Sequence, residues 1–533
     1  MRKYPVGIQS FEKIRKDGYL YVDKTALIYK MITEGCPYFL SRPRRFGKSL
    51  LVSTLAAVFE GRRELFEAFT TEDGIEQPQL FIATTKWKWE KYPVFHFDFS
   101  AGDLRDIEQL DEMIDVTLSS YERLYGISHR DKMGINLRMV TLLRTSHEQT
   151  GKRAVVLVDE YDNFILHALG NAEKVDLARH RFQNLFGPLK AEDDHLQFVF
   201  ITGISKFSQM GVFSKLNNLK NISMVPAYDS LCGISEEELT SVLKSDIEWM
   251  ANRNQISYGE MFAHLKSRYD GYHFSEALTD IYNPFSLINA FDTGKESDYW
   301  FDRGTSGALI DMLAQMPPVD ISTIEDNIYS STMFDLPFES FEDPLPILYQ
   351  SGYLTIRSCE GEMGDYFYKL GIPNQEVRRG FAECLYRHVI GKGSETNRSV
   401  LFNAYARFRF SADLPAFIEA IKTFFAGVPY HWEADNRNEH YYHALLYTLL
   451  TAFGADIRAE EPSAKGRSDL TLLMPKGIYV MELKYDGSAE AALEQINQRG
   501  YANKYALDGR PITKVGICFN SKERNITEWK TQS

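Results

Sequence analysis

Cysteine is scarce in this chain, and its few cysteines form no recognisable framework. The five cysteines among 533 residues are scattered, odd in number and include no C-x-x-C pair. This distribution argues against a disulfide scaffold and against a thiolate metal site. It is also typical of proteins that work in a reducing compartment, so we expect a cytoplasmic location.

Long apolar runs and a surplus of positive charge are missing as well. No window offers about 18 uninterrupted apolar residues, and the opening stretch MRKYPVGIQSFEK has no apolar signal segment, so no membrane span is expected. With 73 acidic and 60 basic residues, the formal net charge is −13. This balance counts against a protein that coats duplex nucleic acid, although it leaves room for a local basic channel.

The chain is long enough for several hydrophobic cores, and its pattern of apolar and polar residues changes from one region to the next. In the first part, apolar runs such as AVVLVDEYD and LQFVFITGIS end in polar residues and alternate with helical patterns. This alternation is typical of an α/β fold with a parallel sheet. The pattern predicts four regions: α/β over 1–230, a helical or winged-helix lid over 231–310, an α/β connector with a winged-helix-like part over 311–430, and a further α/β region over 431–533.

Residues 42–49, RPRRFGKS, end as a phosphate-binding loop does. Gly47, Lys48 and Ser49 form the G-K-S of the pattern G-x-x-x-x-G-K-[ST], whereas Arg42 stands at its first glycine. In such a loop, backbone N–H groups and a helix N-terminus face an anion. Lys48 would contact the β- and γ-phosphates, and the Ser49 hydroxyl would complete the shell of a Mg²⁺ ion.

The run VVLVDEYD supplies the partner that such a loop needs. Asp159 would hold Mg²⁺ through water, Glu160 could polarise the attacking water, and Thr202 ends a later strand where a γ-phosphate could be sensed. Each motif alone is common, but their order at the ends of predicted parallel strands favours a nucleotide site. Hydrolysis stays open, because Arg42 and Pro43 alter the entry of the loop.

Basic residues surround the predicted nucleotide. Guanidinium groups can pair bidentately with phosphate oxygens, so the arginines of the loop are candidate phosphate ligands. The predicted nucleotide contacts within the loop and the following helix are Arg42, Arg44, Arg45, Phe46, Gly47, Lys48, Ser49 and Leu50.

A second polar constellation lies near the other end, in GRSDLTLLMPKGIYVMELK. Asp469 begins an apolar strand, a turn follows, and Glu482 and Lys484 project from one face of the return strand. Two carboxylates on a strand platform suit Mg²⁺, with Mn²⁺ as an alternative. Lys484 would help to position or activate a metal-bound water.

Two helices flank this predicted hairpin and carry further polar candidates. Glu439 could add an acid to the metal cluster, and Gln495 could face the same site. His443 shares a helix face with Glu439 and is either metal-adjacent or structural. For D…E-x-K alone, an amphipathic hairpin with a charged outer face would be the better interpretation, but both flanking helices favour a nuclease-type site.

Together these stretches resemble a known family. YVDKTALIYKMI, RPRRFGKS, VVLVDEYD and ITGISKFS, followed by YDGYHF, YNPFSLINAF and GIPNQEV, are similar to the AAA-ATPase-like proteins of prokaryotes. In that family RPRRFGKS is the usual form of the loop. Many members carry a C-terminal PD-(D/E)XK nuclease-like domain, and the positions matching its motif here are Glu439, Asp469, Glu482, Lys484 and Gln495. The resemblance implies an AAA-like P-loop ATPase domain over 1–230 and a nuclease-like domain over 431–533.

The sequence therefore predicts an ATP-binding, nucleotide-regulated, metal-dependent nuclease that cleaves phosphodiester bonds in nucleic acid, with DNA favoured. ATP and Mg²⁺ are the expected cofactors, and a homo-oligomer is compatible with the sequence. An alternative is an ATP-driven switch or scaffold whose nuclease-like domain only binds nucleic acid or protein. A third possibility is a nuclease whose P-loop domain binds nucleotide without hydrolysing it.

Overall fold

The structure is a computed structural model in two compact units. The first unit comprises Met1–Gln315 and Ile328–Glu376, and the second comprises Met316–Asn327 and Val377–Ser533. The residues that the structure describes are 2–35, 37–100, 106–128, 133–168, 171–205, 218–300, 327–335, 345–362, 365–390, 395–426, 439–463 and 466–533. Much of the predicted connector between 311 and 344 lies outside these residues, and the bounds of the four predicted regions stay a prediction.

The first unit contains both parallel and antiparallel strands. Its strands are β1 (Tyr38–Ser41), β2 (Phe69–Thr70), β3 (Glu76–Gln77), β4 (Val94–Asp98), β5 (Ala154–Asp159), β6 (Leu196–Gly203), β7 (Lys220–Asn221), β8 (Ile234–Ser235), β9 (Ile281–Tyr282), β10 (Ile328–Ser330), β11 (Thr355–Glu362) and β12 (Asp365–Gly371). Its helices are α1 (Phe11–Lys16), α2 (Thr25–Glu34), α3 (Lys48–Phe59), α4 (Ile107–Leu124), α5 (Ile135–Thr150), α6 (Asn163–His167), α7 (Ala172–Phe186), α8 (Pro188–Ala191), α9 (Glu236–Val242), α10 (Lys244–Asn254), α11 (Tyr258–Tyr269), α12 (Pro284–Thr293) and α13 (Leu345–Gln350).

A parallel sheet in the order β4-β5-β6-β1-β7 forms the centre of the first unit. Every residue of β5 is buried, as expected for a strand covered on both faces. The predicted α/β fold is confirmed here. Since β6 lies between β1 and β5, the loop after β1 and the acids at the end of β5 meet at the carboxyl edge of the sheet, where open α/β sheets bind ligands.

The helices α9 to α12, which we call the lid helices, pack around a core of their own. Side chains such as Leu239, Ile247, Leu265 and Leu287 are fully buried in it. A capping box formed by Ser235 and Glu238 starts α9. These four described helices lie within the predicted region 231–310, whose bounds and role as a lid stay predictions.

The second unit is built on a mixed sheet in the order β13-β14-β15-β16-β17, in which only β15 and β16 are parallel. Its strands are β13 (Ile457–Ser463), β14 (Gly466–Met474), β15 (Gly477–Tyr485), β16 (Ile512–Asn520) and β17 (Asn525–Gln532). Its helices are α14 (Gln375–Ile390), which begins with the last two residues of the first unit, α15 (Glu395–Ser411), α16 (Leu414–Ala426), α17 (Glu439–Ala452) and α18 (Ala489–Arg499).

Helix α18 packs on β15 through a small apolar core that includes Val480, Ile496 and Tyr501. The hairpin of β14 and β15 turns between Met474 and Gly477, as the sequence predicts. Strands β16 and β17 complete the sheet, and the sequence pattern did not reveal β17. Among the described residues, no helix is long and apolar enough to cross a bilayer.

Candidate nucleotide and nuclease sites

The loop between β1 and α3 has the backbone that phosphate binding requires. Gly47 precedes α3 with φ 91°, in the left-handed region that glycine tolerates, and it is exposed. The first turn of α3 begins at Lys48, so its N–H groups are directed out of the helix end. The Lys48 ammonium is buried and donates to the carbonyl oxygens of Arg42 and Pro43, each at 3.0 Å. It therefore lies inside the loop, next to the predicted phosphate position.

The acids at the end of β5 lie beside this loop. Burial raises the pKa of Asp159, while a hydrogen-bonding interaction with the Ser49 side chain and the charge of Lys48 oppose that rise. One carboxylate oxygen of Asp159, Oδ1, is buried without a hydrogen-bond partner. Two predicted Mg²⁺ ligands, Ser49 and Asp159, are thus together, and the unsatisfied oxygen suits a cation.

Glu160 follows Asp159 in a left-handed backbone conformation, with φ 48°. Burial raises the pKa of its carboxyl group, and the charges of Lys48 and Arg44 act in the opposite direction. These electrostatic effects place Glu160 close to the loop lysine. A carboxylate with a raised pKa is a stronger proton acceptor, which fits the predicted contact with an attacking water.

The structure does not bring Arg42 to a phosphate position. Its side chain is 1% exposed and stacks over the Phe274 ring at 4.0 Å. Its guanidinium donates to backbone carbonyl oxygens at 3.0, 2.7 and 3.2 Å, those of Ser41, Ser223 and Tyr228. The predicted phosphate contact is not supported for Arg42, because its donors are directed into the protein, where they fix the start of the loop.

Arg44 and Arg45 are half-buried and have different surroundings. Arg44 is near enough to Glu160 to lower the pKa of that carboxyl group. Arg45 has φ 66° and stacks over the Phe285 ring of α12 at 4.1 Å. Arg44 therefore remains the better candidate for a phosphate contact, whereas Arg45 also joins the loop to the lid helices.

Thr202 is fully buried in the sheet. Its hydroxyl donates to the Leu40 carbonyl oxygen at 2.8 Å, so it joins β6 to β1. The predicted γ-phosphate contact is not supported for this side chain. A residue that the sequence analysis did not consider, Asp162, fixes the chain after β6: its carboxylate accepts from the Ile204 and Ser205 amides at 2.9 and 2.6 Å.

An apolar cavity of about 80 Å³ adjoins the loop. Phe46, Gly47 and Leu50, all predicted nucleotide contacts, line part of it, with β-branched and leucine side chains from the N-terminal segment and the lid helices. Lys24 is one of its few polar groups, and its ammonium pairs with Glu238 at 2.6 Å. Small-molecule sites are usually mostly apolar with a few polar groups, so this cavity is a candidate position for the base of a nucleotide.

In the second unit, five predicted residues come together on one face of the sheet. Asp469 on β14 accepts the Leu483 amide at 2.7 Å, and the Lys484 ammonium lies 3.4 Å from Glu482 and 3.6 Å from Glu439. Gln495 on α18 donates to the Glu482 carboxylate. The sequence pattern thus predicted a real cluster, assembled from β14, β15 and two helices.

Burial sets the electrostatics of this cluster. Glu482 is 1% exposed, and burial raises the pKa of both Glu482 and Asp469 above the usual carboxyl range, with mutual repulsion adding to the effect on Glu482. Burial disfavours the charge on Lys484, but the neighbouring carboxylates outweigh it and raise the pKa of this ammonium. Two buried carboxylates that resist ionisation gain from a divalent cation, so these oxygens fit a Mg²⁺ or Mn²⁺ site.

His443 is buried and acts through the backbone. Its Nε2 is 2.8 Å from the carbonyl oxygen of Asp469, which can only accept, so the ring donates there. Of the two interpretations that the sequence left open, this contact favours a structural histidine. It holds the β14 backbone at the residue that supplies a carboxylate.

A polar groove of about 500 Å³ opens beside the carboxylate cluster. It shares Gln495 with that cluster and is lined further by Gln498, Arg499 and Tyr501. The Tyr501 hydroxyl is 3.4 Å from Gln495 Nε2. The groove therefore leads directly to the predicted catalytic residues.

A third acidic cluster lies outside both sites, and a lysine side chain neutralises part of its charge. Glu236, Asp270 and Asp280 lie close together, and the Lys266 ammonium pairs with all three carboxylates. His273 joins the cluster at 2.8 Å from Asp280. This arrangement ties the lid helices to the YDGYHF segment as an ion-pair network.

Comparisons with known proteins match the two ends of the chain to two domain families. One family model, a predicted AAA-ATPase, matches residues 5–213, and another, the PD-(D/E)XK nuclease superfamily, matches residues 437–529. The chain belongs to the family of AAA-ATPase-like proteins that carry a C-terminal PD-(D/E)XK nuclease superfamily domain. The resemblance found in the sequence is thereby confirmed.

The relationship extends over the whole chain. The "Uncharacterized protein in vnfD 5'region" of Azotobacter chroococcum mcd 1 is 33% identical over 543 aligned residues, which cover 100% of this chain and 99% of that protein. Among solved structures, the Aeropyrum pernix ORC1 protein in complex with DNA matches 68% of this chain and 91% of its own, with 10% identity and a TM-score of 0.25.

Proposed function

We propose that this protein is an ATP-binding nuclease that requires a divalent metal, acts on DNA and is regulated by the nucleotide. The observation that carries the proposal is the convergence of Asp469, Glu482, Lys484 and Gln495 on one face of the second unit. The match to the PD-(D/E)XK nuclease superfamily over the same residues supports it.

The chemistry at the nuclease site follows from the donor set. Asp469 and Glu482, with Glu439 nearby, would hold a divalent ion, which supplies an activated water and charge compensation when it is bound. Lys484 would offset the charge that develops on the scissile phosphate. Gln495, through its bond to Glu482, would orient that carboxylate, and His443 would fix the backbone at Asp469.

At the nucleotide site, the chain offers a phosphate loop, two residues that would hold Mg²⁺ and a carboxylate that would act as a general base. Lys48 would exchange its bonds to loop carbonyls for bonds to phosphate oxygens, and Ser49 and Asp159 would hold Mg²⁺. Glu160 would take the proton of an attacking water if ATP is hydrolysed. The apolar cavity beside the loop would hold the base.

A Mg²⁺-dependent nicking assay on supercoiled DNA tests the nuclease. The full chain should nick, whereas Asp469→Ala and Lys484→Ala should lose at least about 100-fold in rate, because each removes a group that contacts the reacting atoms. Glu523→Ala and Lys522→Ala remove matched charges from the exposed turn between β16 and β17 and should behave as the wild type. Equal rates in all five proteins would reject the assignment.

Hydrolysis of ATP is tested separately by phosphate release. Glu160→Gln keeps the shape of the side chain but removes its basicity, so it should bind ATP and release phosphate at least about tenfold more slowly. Identical rates in wild type and Glu160→Gln, both at background, would instead identify a loop that binds nucleotide without hydrolysing it.

A further inference from the structure

Aromatic residues of the segment that follows α11 pack against the phosphate loop at Phe46 and form what we call the aromatic cage. The Phe46 ring meets Tyr272 and Phe274 edge-to-face, at centroid distances of 4.8 and 5.5 Å. The Gly233 amide donates to the Phe46 carbonyl at 3.1 Å. Because the loop is built into this aromatic cage, its backbone cannot change shape without moving neighbouring side chains.

Trp300 joins the loop to a residue outside it. Its indole N–H donates to the Arg44 carbonyl oxygen at 3.1 Å, and the side chain is 1% exposed. Its ring meets Tyr353 edge-to-face at 5.3 Å. The backbone N–H of the same residue donates to Glu376 Oε1 at 2.7 Å. Two hydrogen bonds through one residue therefore connect the loop to Glu376.

Glu376 is the second residue of α14. It is 1% exposed, and burial raises the pKa of its carboxyl group to about 8, although the Trp300 amide and the Ser286 hydroxyl oppose this rise. The same helix continues to Ile390, and from Val377 onward it belongs to the second unit. The acid that receives the Trp300 bond thus begins the helix that enters the unit containing the nuclease site.

We propose that Trp300 and Glu376 are positioning residues that transmit nucleotide occupancy of the loop to helix α14 and so regulate the nuclease. The proposal rests on the proposed function. Lys48 donates to the carbonyls of Arg42 and Pro43, and phosphate would draw its ammonium away from them. The next carbonyl along the loop, that of Arg44, accepts from Trp300, so a change in the loop backbone would be felt at Trp300.

Hydrogen exchange tests this coupling without requiring nuclease activity. The exchange of amides in 375–390 is measured with and without adenylyl imidodiphosphate and Mg²⁺, and the affinity for this ATP analogue is measured on the same protein. Trp300→Phe removes the indole N–H and keeps a ring beside Tyr353. Trp87→Phe is the matched control, because the Trp87 indole N–H is buried without a partner and its ring packs on Phe59.

The analogue should change the exchange rate of 375–390 at least about threefold in the wild type and in Trp87→Phe. In Trp300→Phe this change should fall by at least about half, while the affinity for the analogue changes less than about threefold. If the wild type fails to bind the analogue, the proposed function itself is wrong. If it binds and the exchange of 375–390 is unaffected, or changes equally in Trp300→Phe, only the coupling is overturned.

A second pair of variants keeps the test decisive if Trp300→Phe does not fold. Glu376→Leu removes the acceptor of the Trp300 amide, whereas Glu376→Gln retains an oxygen in the same place. The nucleotide-dependent change in exchange should be lost in Glu376→Leu and retained in Glu376→Gln. Its retention in both variants would overturn the role of Glu376.

Discussion

Arg42 and Arg44 stand two residues apart in one basic run, yet their surroundings give them different roles. Arg42 donates to three buried carbonyls, and its removal would leave these acceptors without donors. Arg42→Met should therefore lower the free energy of unfolding by about 2–4 kcal/mol. Arg44→Met should cost less than about 1 kcal/mol, because this side chain is only half-buried.

These roles are separated by measuring the denaturant-induced unfolding transition of the first unit and, on the same variants, the affinity for ATP by titration. Arg44→Met should weaken ATP binding at least about fivefold if its guanidinium contacts phosphate. If Arg44→Met destabilises the fold as strongly as Arg42→Met and leaves ATP affinity unchanged, the assignment of the two arginines is wrong.

The acids of the nuclease site make metal affinity depend on pH. Burial raises the pKa of Asp469 and Glu482, so protons stay on these groups at pH values where exposed carboxyls have lost them. Protonated carboxyls do not bind metal, and the affinity should therefore rise with pH. We expect an increase of about tenfold per pH unit between about pH 6 and about pH 8, where Glu482 still holds its proton, and a steeper increase below about pH 6, where Asp469 holds one as well.

Mn²⁺ titration calorimetry at several pH values measures this dependence. Glu482→Gln, which cannot ionise, should bind more weakly and lose much of the slope, and Asp469→Ala provides the baseline for binding elsewhere on the chain. A wild-type Mn²⁺ affinity that does not change above about pH 5 would show that the pKa values of these two carboxyls are not raised.

At the scale of elements, the turn after α11 depends on one glycine. Gly271 has φ 87°, and a Cβ there would clash with the carbonyl oxygen of Pro373. Gly271→Ala should therefore destabilise the first unit by at least about 2 kcal/mol. Gly151→Ala is the matched control, because Gly151 has φ 66° but open space around it, and its cost should be about 1 kcal/mol.

Thermal unfolding of both variants isolates the contribution of the close approach between chain segments. A similar loss in Gly271→Ala and Gly151→Ala would mean that only the backbone conformation matters. A larger loss in Gly271→Ala would show that the YDGYHF turn is held against the segment at Pro373, where α14 is about to begin.

The sequence predicted the elements whose signals are local. Strand β5 is a continuous apolar run that ends in Asp159, and its pattern is complete within a few residues. Strand β17, with the sequence NITEWKTQ, was missed because an edge strand with partly exposed faces carries little apolar pattern. The clustering of Asp469, Glu482 and Gln495 was predictable because strand and helix periodicity fixes their faces.

Long-range contacts were beyond the reach of pattern reading. A basic residue beside G-K-S looks the same whether it faces phosphate or, like Arg42, buried carbonyls. The aromatic cage brings Phe46 against Tyr272, more than 200 positions later, and each ring alone is typical of an ordinary core. The role proposed for Trp300 could not be predicted from the sequence, because it depends on two long-range hydrogen bonds that this residue makes at the same time.

At the scale of the whole molecule, the two sites belong to separate compact units, so their functions should be separable by mutation. Asp469→Ala should abolish DNA nicking and bind ATP as tightly as the wild type, because no atom of Asp469 belongs to the nucleotide site. Lys48→Ala should lose at least about tenfold in ATP affinity, since it removes the ammonium that would contact the phosphates.

The ratio of nicking rates with and without ATP then reports the regulation. This ratio should differ from one in the wild type and equal one in Lys48→Ala, whatever the absolute rate of that variant. If the protein is instead a switch or scaffold, Asp469 should be dispensable. A cellular function that survives Asp469→Ala but not Lys48→Ala would assign the protein to that class. Loss of the same function in both variants would show that both sites are needed for it, as we expect if the nucleotide loop controls cleavage at Asp469 and Glu482.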